Sequence, residues 1–288
     1  MNRRLTSSEL VLAPDGSLYH LRIRNDEIAE KVILVGEPER VEKISAKFET
    51  VTLKRENRGL ITHCGTYNGK HISVIATGMG VGNIDIVMTE LDAAVNLNLK
   101  TKQPFPKLKN LNIVRIGTCG SMRKEVACNT FVASQYVIGI DGAFRFYKPN
   151  GVLNEDLANK FVSFMDWDLS FPTPYALKAS MPLLESVCGG MQRAITITAP
   201  GFYGAQGRKL RLIPLHQTIN NRLPLFSYQN VPVVNYEMET SMIYAMGKAL
   251  GHNVVSVCCV VANRATGEFT EDYGKPMDAL ITTVLDKI

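Results

Sequence analysis

The segment "GFYGAQGR", residues 201–208, combines side chains that could recognise a flat polar ligand. Phe202 offers an aromatic face, Gln206 offers hydrogen-bond donors and an acceptor, and Arg208 offers donors only. Such a set could read a planar molecule with C=O, N–H and C=O groups along one edge, as in a pyrimidine dione. A short pattern of this kind also occurs by chance in surface loops. Both interpretations stay open for this segment taken alone.

Three arginines could hold an anion. Arg40 follows the first predicted strand, Arg58 is expected to begin the first strand of a hairpin, and Arg115 lies inside an apolar strand. Burying an arginine is costly without compensation, so Arg115 either pairs with a buried carboxylate or helps to bind an anionic ligand. The segment "GTCGS", residues 117–121, adds the Thr118 hydroxyl and backbone N–H groups between glycines. These groups suit a phosphate and favour an anion site.

Two carboxylates end another predicted strand, in the segment "NYEMET" at residues 235–240. Glu237 and Glu239 either stabilise the N-terminus of the following helix or both point into a site, where one could accept from sugar hydroxyls. They do not resemble a glycosidase pair, and no serine or cysteine lies in a recognisable nucleophile setting. A second glycine-rich turn, "GMGVGN" at residues 78–83, matches neither a Walker motif nor a dinucleotide fingerprint.

The elements that must position these side chains alternate between strands and helices. This alternation predicts one α/β domain over residues 1–288, with three layers and a central mixed β-sheet. The polar segments follow strands, and ligands of open α/β sheets bind beyond the carboxyl ends of the strands. Strands are predicted at residues 31–36, 111–117, 130–139, 194–200, 231–237 and 253–264, a hairpin with an Asn68–Gly69 turn at 60–80, and helices at 39–48, 83–99, 176–188, 238–250 and the C-terminus.

Composition sets the broad class of the protein. The chain has 288 residues, of which 45% are apolar and 20% charged, as in ordinary globular proteins. The net charge of +5 is not concentrated in a basic block, which favours small anions over nucleic acid as ligands. The six cysteines show no CxxC spacing and predict reduced thiols rather than a zinc site or disulfides. Neither a membrane span nor a signal peptide is evident, so we expect a cytoplasmic protein.

Six motifs in one order resemble the nucleoside phosphorylase family. They are "VGEPERVEKI", "IATGMGVGN", "VRIGTCGS", "FYGAQGR", "VNYEMET" and "VVANR", within a resemblance that spans residues 20–268. The fourth motif is typical of the uridine-acting branch. The resemblance implies reversible phosphorolysis of uridine to uracil and α-ribose 1-phosphate. It implies phosphate as co-substrate and no metal or organic cofactor.

The resemblance also assigns roles to twelve residues. It places phosphate on Gly36, Arg40, Arg115, Thr118 and, from a neighbouring subunit, Arg58. It places ribose on Met238, Glu239 and, across the subunit interface, His20. The base is expected on Phe202, Gln206, Arg208 and Arg264, and the catalytic roles fall to Arg208, Gln206, Glu239 and Arg115.

The same resemblance implies an assembly. We expect at least a homodimer, with a hexamer of three dimers possible, and residues 1–30 contributing to the interface. Segments 100–110 and 147–168 are candidates to set this assembly or to cover the base. Three departures from relatives are Glu37 in place of aspartate, Gly59 together with Asn83 where some relatives bind a monovalent cation, and Cys119 in place of a hydroxyl residue. We therefore do not expect the cation.

Alternative functions remain at this stage. A purine nucleoside phosphorylase or nucleosidase on the same fold typically has an aspartate after the strand that here ends in Asn263 and Arg264. A hydrolase would have no use for three converging arginines, because water carries no charge. A nucleoside-binding protein without turnover and a nucleic-acid-binding module are further possibilities. The first would bind uridine without forming product, and the second would bind RNA with an affinity that falls steeply with salt.

Overall fold

The computed structural model describes residues 4–216, 219–270 and 272–288. Its centre is a twelve-stranded mixed β-sheet with the order β11-β12-β10-β8-β13-β7-β1-β4-β3-β2, to which β9 and β14 are added at β8 and β13. Helices pack against this sheet. The predicted α/β class with a central mixed sheet is confirmed.

The strands and helices have the following bounds. The strands are β1 (Lys31–Val35), β2 (Thr50–Asn57), β3 (Leu60–Tyr67), β4 (Lys70–Ala76), β5 (Leu97–Asn98), β6 (Gln103–Pro104), β7 (Asn112–Ser121), β8 (Phe131–Gly139), β9 (Tyr175–Lys178), β10 (Gln192–Thr198), β11 (Ser227–Tyr228), β12 (Val231–Glu237), β13 (Asn253–Asn263) and β14 (Glu268–Phe269). The α-helices are α1 (Pro38–Ser45), α2 (Val81–Asn96), α3 (Glu155–Met165), α4 (Met181–Cys188), α5 (Ile219–Arg222), α6 (Thr240–Ala249) and α7 (Gly274–Lys287).

Strand β1 shows why the apolar runs form the centre of the sheet. It pairs in parallel with β4 on one side and with β7 on the other. Its residues Ile33 and Leu34 point to opposite faces and both are fully buried. A strand that is buried on both faces does not alternate polar with apolar residues. This explains the continuous apolar run in "KVILV".

Five strands of the sheet close into a ring. Strands β12, β10, β8, β13 and β7 pair in that order, and β12 also pairs antiparallel with β7 at Asn235–Ser121 and Tyr236–Gly120. One apolar cluster receives a buried side chain from each of these strands, namely Cys119, Val132, Ala194, Val234 and Cys258. The closure therefore brings "GTCGS" and "NYEMET" into direct contact, which an open sheet would not do.

The predicted hairpin is present with its predicted turn. Asn68 and Gly69 have φ angles of 48° and 71°, so both lie in the left-handed region that a two-residue hairpin turn requires. Around this turn, β3 and β4 pair antiparallel. An asparagine followed by a glycine adopts these angles at low cost, and for this reason the turn could be predicted locally.

The position predicted for Arg58 is wrong. Arg58 does not begin a strand but lies in the turn between β2 and β3, with a φ of 55°. Strand β2 was not predicted because it is an edge strand whose residues, "TVTLKREN", are mostly polar and exposed. Edge strands often carry charged residues, which discourage their unpaired backbone groups from pairing with another chain. The same residues weaken the alternating apolar pattern by which a strand is predicted.

One further prediction needs correction in the segment before β10. The helix predicted at 176–188 begins only at Met181, with Pro182 in its first turn, and the preceding residues form β9. Segment 147–168 contains α3, whose N-terminus is capped by the Asn154 side chain accepting from the Leu157 N–H at 3.1 Å. The segment at 100–110 belongs partly to the β5–β6 pair, and Lys102 Nζ donates to Leu10 O at 3.3 Å. It therefore packs on the N-terminal segment.

The helices and the cysteines bear on two of the sequence expectations. Across residues 4–216, 219–270 and 272–288, none of the helices combines the length and the apolarity needed to cross a membrane. All six cysteines are free thiols, and five of them are buried.

Gly65 provides a test of the packing between β2 and β3. A Cβ atom at this position would overlap the Thr50 carbonyl oxygen and would lie 2.5 Å from Phe48 Cδ2. We therefore expect Gly65→Ala to lower the free energy of unfolding by about 1–3 kcal/mol through overpacking. Urea unfolding at a fixed protein concentration measures this change.

The control for that measurement is Gly82→Ala. Gly82 lies in the first turn of α2 with open space around its Cα, so alanine is expected to leave stability unchanged or to raise it. Equal unfolding midpoints for the two variants would contradict the packing seen at Gly65.

Candidate active site

A cavity of about 550 Å³ opens where the carboxyl-terminal parts of β1, β7, β12 and β13 meet the 201–208 segment. Ten of the twelve predicted site residues line it: Gly36, Arg40, Arg115, Thr118, Phe202, Gln206, Arg208, Met238, Glu239 and Arg264. The structure thus brings together residues that are up to 228 positions apart in the chain, from Gly36 to Arg264. Their individual roles stay predictions.

Arg115 is the buried cation of this cavity. Its Nη2 donates to Glu239 Oε2 at 2.5 Å and lies 3.4 Å from Glu237 Oε2, while its Nη1 donates to Cys258 Sγ at 3.0 Å. Burial opposes the charged form, but the neighbouring Cys258 and carboxylates outweigh it and raise the pKa of the guanidinium. A Cβ at Gly117 would overlap the guanidinium, so this glycine makes room for it. The sequence left open whether Arg115 pairs with a buried carboxylate or with an anionic ligand. The carboxylate partners are present, and they lie inside the candidate site itself.

The two carboxylates of "NYEMET" have different surroundings. Glu237 Oε2 accepts from the backbone N–H groups of Glu239 and Thr240, at 2.9 and 2.8 Å, so it stabilises the N-terminus of α6. Its Oε1 accepts from Thr198 Oγ1. Glu239 Oε1 accepts from the Gly80 N–H at 2.7 Å, and burial raises the pKa of this carboxyl. The helix-end interpretation thus applies to Glu237, while Glu239 joins the cavity to the glycine-rich turn at 78–83.

The end of the cavity that is predicted to hold phosphate contains Arg40. This side chain is 3% exposed, and its Nη1 donates to the Ile116 carbonyl at 3.2 Å. Its Nη2 lies 3.0 Å from Glu37 Oε2, yet within the described part of the chain this buried nitrogen makes no well-formed hydrogen bond. A buried donor of this kind is suited to an anion. Glu37, which stands where relatives usually have aspartate, places its carboxylate beside Arg40.

The end of the cavity that is predicted to hold the base is formed by the segment 201–208, which contains a 3₁₀ turn. The Arg208 guanidinium lies over the Phe202 ring, with Cζ 3.8 Å from the centroid, and Nη1 donates to Gln206 Oε1 at 2.6 Å. Gly207 has a φ of 68°, and a Cβ there would lie 2.5 Å from Asn220 Nδ2. Arg208 therefore contacts both Phe202 and Gln206, two of the other three residues predicted to bind the base, and Gly207 makes that turn possible.

Several lining residues escaped the sequence interpretation. Tyr236 lies beside Arg264, whose Cζ is 5.5 Å from the tyrosine ring centroid. Burial lowers the pKa values of Arg208 and Arg264, and the closeness of the two guanidinium groups lowers that of Arg208 further. Tyr236 lies inside the motif "VNYEMET", and this position was the sequence signal that could have identified it as a lining residue. Met79, inside the motif "IATGMGVGN", also lines the cavity, as do Glu268 and Phe269, which carried no signal in the sequence.

His20 and Arg58 lie on another part of the surface. Arg58 Nη2 donates to the Tyr19 hydroxyl at 2.9 Å, and His20 Nδ1 lies 2.7 Å from Glu90 Oε1. Asn57 links the two sites, because its Nδ2 donates to the His20 carbonyl at 2.9 Å. Neither His20 nor Arg58 lines the cavity of its own chain. Their predicted contribution to a neighbouring subunit stays a prediction.

Known proteins are similar to this chain in sequence and in fold. A uridine phosphorylase of Thermococcus kodakarensis is 26% identical over 297 residues, with 100% of this chain and 92% of the relative covered. A DeoD-type purine nucleoside phosphorylase of Clostridium novyi is 26% identical over 268 residues, covering 93% and 96%. A solved Trypanosoma brucei nucleoside phosphorylase, described as showing uridine phosphorylase activity, superposes with a TM-score of 0.85 at 26% identity, covering 97% and 100%.

The family assignment rests on most of the chain. The sequence profile of the phosphorylase superfamily matches residues 30–285. That range contains every cavity-lining residue described above. This protein therefore belongs to the phosphorylase superfamily and is a pentosyltransferase of the nucleoside phosphorylase kind.

Proposed function

We propose that this enzyme is a uridine phosphorylase, which converts uridine and phosphate reversibly into uracil and α-ribose 1-phosphate. One observation carries the proposal: a base-reading trio, Phe202, Gln206 and Arg208, and an anion-binding pair, Arg40 and Arg115, line one cavity. The uridine phosphorylase of T. kodakarensis and the T. brucei enzyme described above support the choice of base.

The proposed reaction is a displacement at the anomeric carbon of ribose. A phosphate oxygen forms the new bond to this carbon from the face opposite the base, while the bond to the uracil nitrogen breaks and its electron pair leaves with uracil. The sugar passes through a cationic, oxocarbenium-like state that the phosphate and Glu239 stabilise by their negative charge. Arg208 and Gln206 stabilise the charge on departing uracil, which then takes a proton from solvent. No protein nucleophile is needed.

The charges at the phosphate end favour a shared site. Arg40 is paired with Glu37, and Arg115 is paired with Glu239 and Glu237, so the carboxylates already compensate both guanidinium groups. A phosphate dianion needs further positive charge, and Arg58 of a second copy is the predicted source. We therefore propose at least a homodimer, with a hexamer of three dimers as the larger form, and residues 1–30 of a single-domain chain contributing to the interface.

The purine alternative is less well supported by the site. The DeoD-type relative of C. novyi keeps this alternative open by sequence alone. At the position where purine-acting relatives carry an aspartate, Asn263 is 1% exposed, and its Nδ2 donates to the carbonyls of Arg123 and Val126 at 2.9 Å. Its Oδ1 accepts from the N–H groups of Ala265 and Thr266. The Asn263 amide thus already forms four hydrogen bonds within the protein. It is not available to protonate a purine.

Other expectations accompany the proposal. Phosphate is a co-substrate, and we expect neither a metal nor an organic cofactor. The distributed charge does not favour nucleic acid as a partner, and the expected location is the cytoplasm. The membership in the nucleoside phosphorylases rules against the earlier alternative of a nucleoside-binding protein without turnover.

Product analysis tests the reaction directly. Purified protein is incubated with uridine or inosine, each with and without phosphate, and chromatography follows free base and ribose 1-phosphate. We expect uracil and ribose 1-phosphate only when uridine and phosphate are both present. Hypoxanthine from inosine would establish the purine alternative, and base release without phosphate would establish a nucleosidase.

Substitutions at the two ends of the cavity test the assigned roles. We expect Arg40→Gln to lower kcat/KM for phosphate by about two to three orders of magnitude while leaving KM for uridine nearly unchanged. Glu239→Gln removes one negative charge near the sugar cation and is expected to lower kcat by a similar factor, about two to three orders of magnitude.

Arg193→Gln is the matched control for the arginine change. Arg193 forms its ion pair with Glu185, 3.0 Å away, and does not line the cavity. Steady-state kinetics with each substrate varied in turn compares the three variants. An equal loss in Arg40→Gln and Arg193→Gln would refute the phosphate role of Arg40.

Mixing two inactive variants tests whether subunits share a site. Arg58→Ala keeps its own cavity, and Arg208→Ala keeps the arginine that a neighbour needs. Random pairing in a dimer gives one complete site in half of the dimers, so mixed subunits should recover about a quarter of the wild-type activity. The measurement is activity after the subunits have been dissociated and reassembled together. No recovery, or an Arg58→Ala variant with full activity alone, would contradict the shared site.

A further inference from the structure

Glu237 is held in place by three hydrogen bonds from its own chain. Its Oε2 accepts from the backbone N–H groups of Glu239 and Thr240. Its Oε1 accepts the hydroxyl proton of Thr198 at 2.5 Å. Arg115 Nη2 lies 3.4 Å from the same Oε2 and forms an ion pair with it. Donors therefore surround both oxygens of this carboxylate.

Thr198 supplies the side-chain bond of this set from outside the cavity. It is the last residue of β10, is fully buried and lies opposite Glu237 in the parallel pair of β10 and β12. Its Oγ1 accepts from the Ser241 N–H at 2.9 Å, and Ser241 Oγ is itself anchored on Asp141 Oδ2 at 2.8 Å. A hydroxyl has a single proton, and that of Thr198 is directed at Glu237.

Glu239 is the less tightly held of the two carboxylates that share Arg115. Its Oε1 accepts from the Gly80 N–H at 2.7 Å, and its Oε2 accepts from Arg115 Nη2 at 2.5 Å. An ionised carboxyl offers about four acceptor positions, so Glu239 keeps positions for a ligand. Glu237 has donors from the protein at nearly all of its positions. The two carboxylates therefore differ in which of them can exchange a protein donor for a substrate.

We propose that Thr198 is a positioning residue, whose hydroxyl keeps Glu237 in place as the fixed counterion of Arg115. Glu239 is then able to exchange this guanidinium for a ribose hydroxyl when the substrates bind. The inference rests on the proposed function, which assigns phosphate to Arg115 and ribose to Glu239. Thr198 itself does not line the cavity and acts only through Glu237.

The cost of losing the Thr198 hydroxyl follows from burial. Without it, Glu237 Oε1 is a buried, charged acceptor that lacks its donor, which is far less favourable than the bonded state. The carboxylate then turns to other donors or takes up a proton, and either change withdraws it from Arg115. The guanidinium is left to Glu239 alone, and the two predicted ligands of phosphate and ribose hold each other instead of the substrates.

The neighbouring pair of residues in the same two strands provides a matched control. Thr196 lies opposite Asn235, two positions before Thr198 and Glu237, so the two threonines lie on one face of β10. Thr196 is also fully buried, and its Oγ1 donates to Asn235 Oδ1 at 3.0 Å. Neither Thr196 nor Asn235 lines the cavity, and the amide carries no charge. Thr196→Val thus removes an equivalent hydroxyl without affecting the ion pair.

The test compares Thr198→Val, Thr198→Ser and Thr196→Val with the wild type. Thermal unfolding first establishes that each variant is folded, and steady-state kinetics then gives kcat and KM for both substrates and the inhibition constant of uracil. We expect Thr198→Val to lower kcat/KM for phosphate by about 10- to 100-fold, the effect of one hydrogen bond to a charged group. The inhibition constant of uracil should stay at the wild-type value, because the base is predicted to bind at the other end of the cavity.

The two remaining variants decide whether the hydroxyl or only the packing matters. Thr198→Ser keeps the hydroxyl and should recover most of the lost activity, while Thr196→Val should match the wild type in all kinetic values. Equal losses in the two valine variants would overturn the proposal. The same holds if serine at position 198 is as poor as valine, or if uracil binding falls together with kcat/KM for phosphate.

A double substitution separates this proposal from the proposed function. Arg115→Gln, or Glu237→Gln if the first fails to fold, removes the ion pair, so adding Thr198→Val should lower the activity no further. If base is released without phosphate, the proposed function is wrong, and the same comparison is made on kcat/KM for the nucleoside. Absence of a further loss would support the positioning role in either reaction. Losses that multiply would overturn it in either reaction.

Discussion

The buried contact between Arg115 and the carboxylates of Glu237 and Glu239 is the constraint on which the site depends. A fully buried charge costs several kcal/mol unless a partner and further hydrogen bonds compensate it. Here the compensation comes from the end of β12, which reaches β7 only because five strands close into a ring. Gly117 leaves room for the guanidinium, and Glu237 at the same time holds the N-terminus of α6. Ring closure, ion pair and helix start therefore stabilise one another.

This arrangement divides the cavity into two electrostatic halves. At the end predicted to hold phosphate, carboxylates already compensate Arg40 and Arg115, so in the proposed function these arginines orient an anion without supplying a large excess of positive charge. At the end predicted to hold the base, Arg208 and Arg264 lie close together, and among the described residues neither has an acidic ion-pair partner. Burial, and then the nearby Arg264, lower the pKa of Arg208. Negative charge that develops on a departing base is favoured there, whereas a cation at the sugar is favoured beside Glu239. The two halves thus match the charge separation of the proposed displacement.

Much of the fold and of the candidate site could be predicted from local sequence. The buried strands, the Asn68–Gly69 turn and the cavity-lining positions of Arg40, Arg115 and Glu239 follow from apolar periodicity and from polar residues at strand ends. Strand β2 and the true position of Arg58 could not be predicted in this way, because an exposed edge strand lacks an apolar pattern. Helix α3 was not predicted either, although Asn154 caps its N-terminus and Leu157, Ala158 and Phe161 are buried.

The sequence by itself determined the alternation of elements, the order of the motifs and the chemical types available to a nucleoside and phosphate site, because periodicity, turn preference and side-chain chemistry are local properties. Only the tertiary structure decided which groups remain free. The separate roles of Glu237 and Glu239, the displacement of His20 and Arg58 from the cavity of their own chain, and the hydrogen bond from Thr198 to Glu237 all depend on contacts between distant segments. Those contacts follow from how the sheet curves and closes, which no single stretch of the chain encodes.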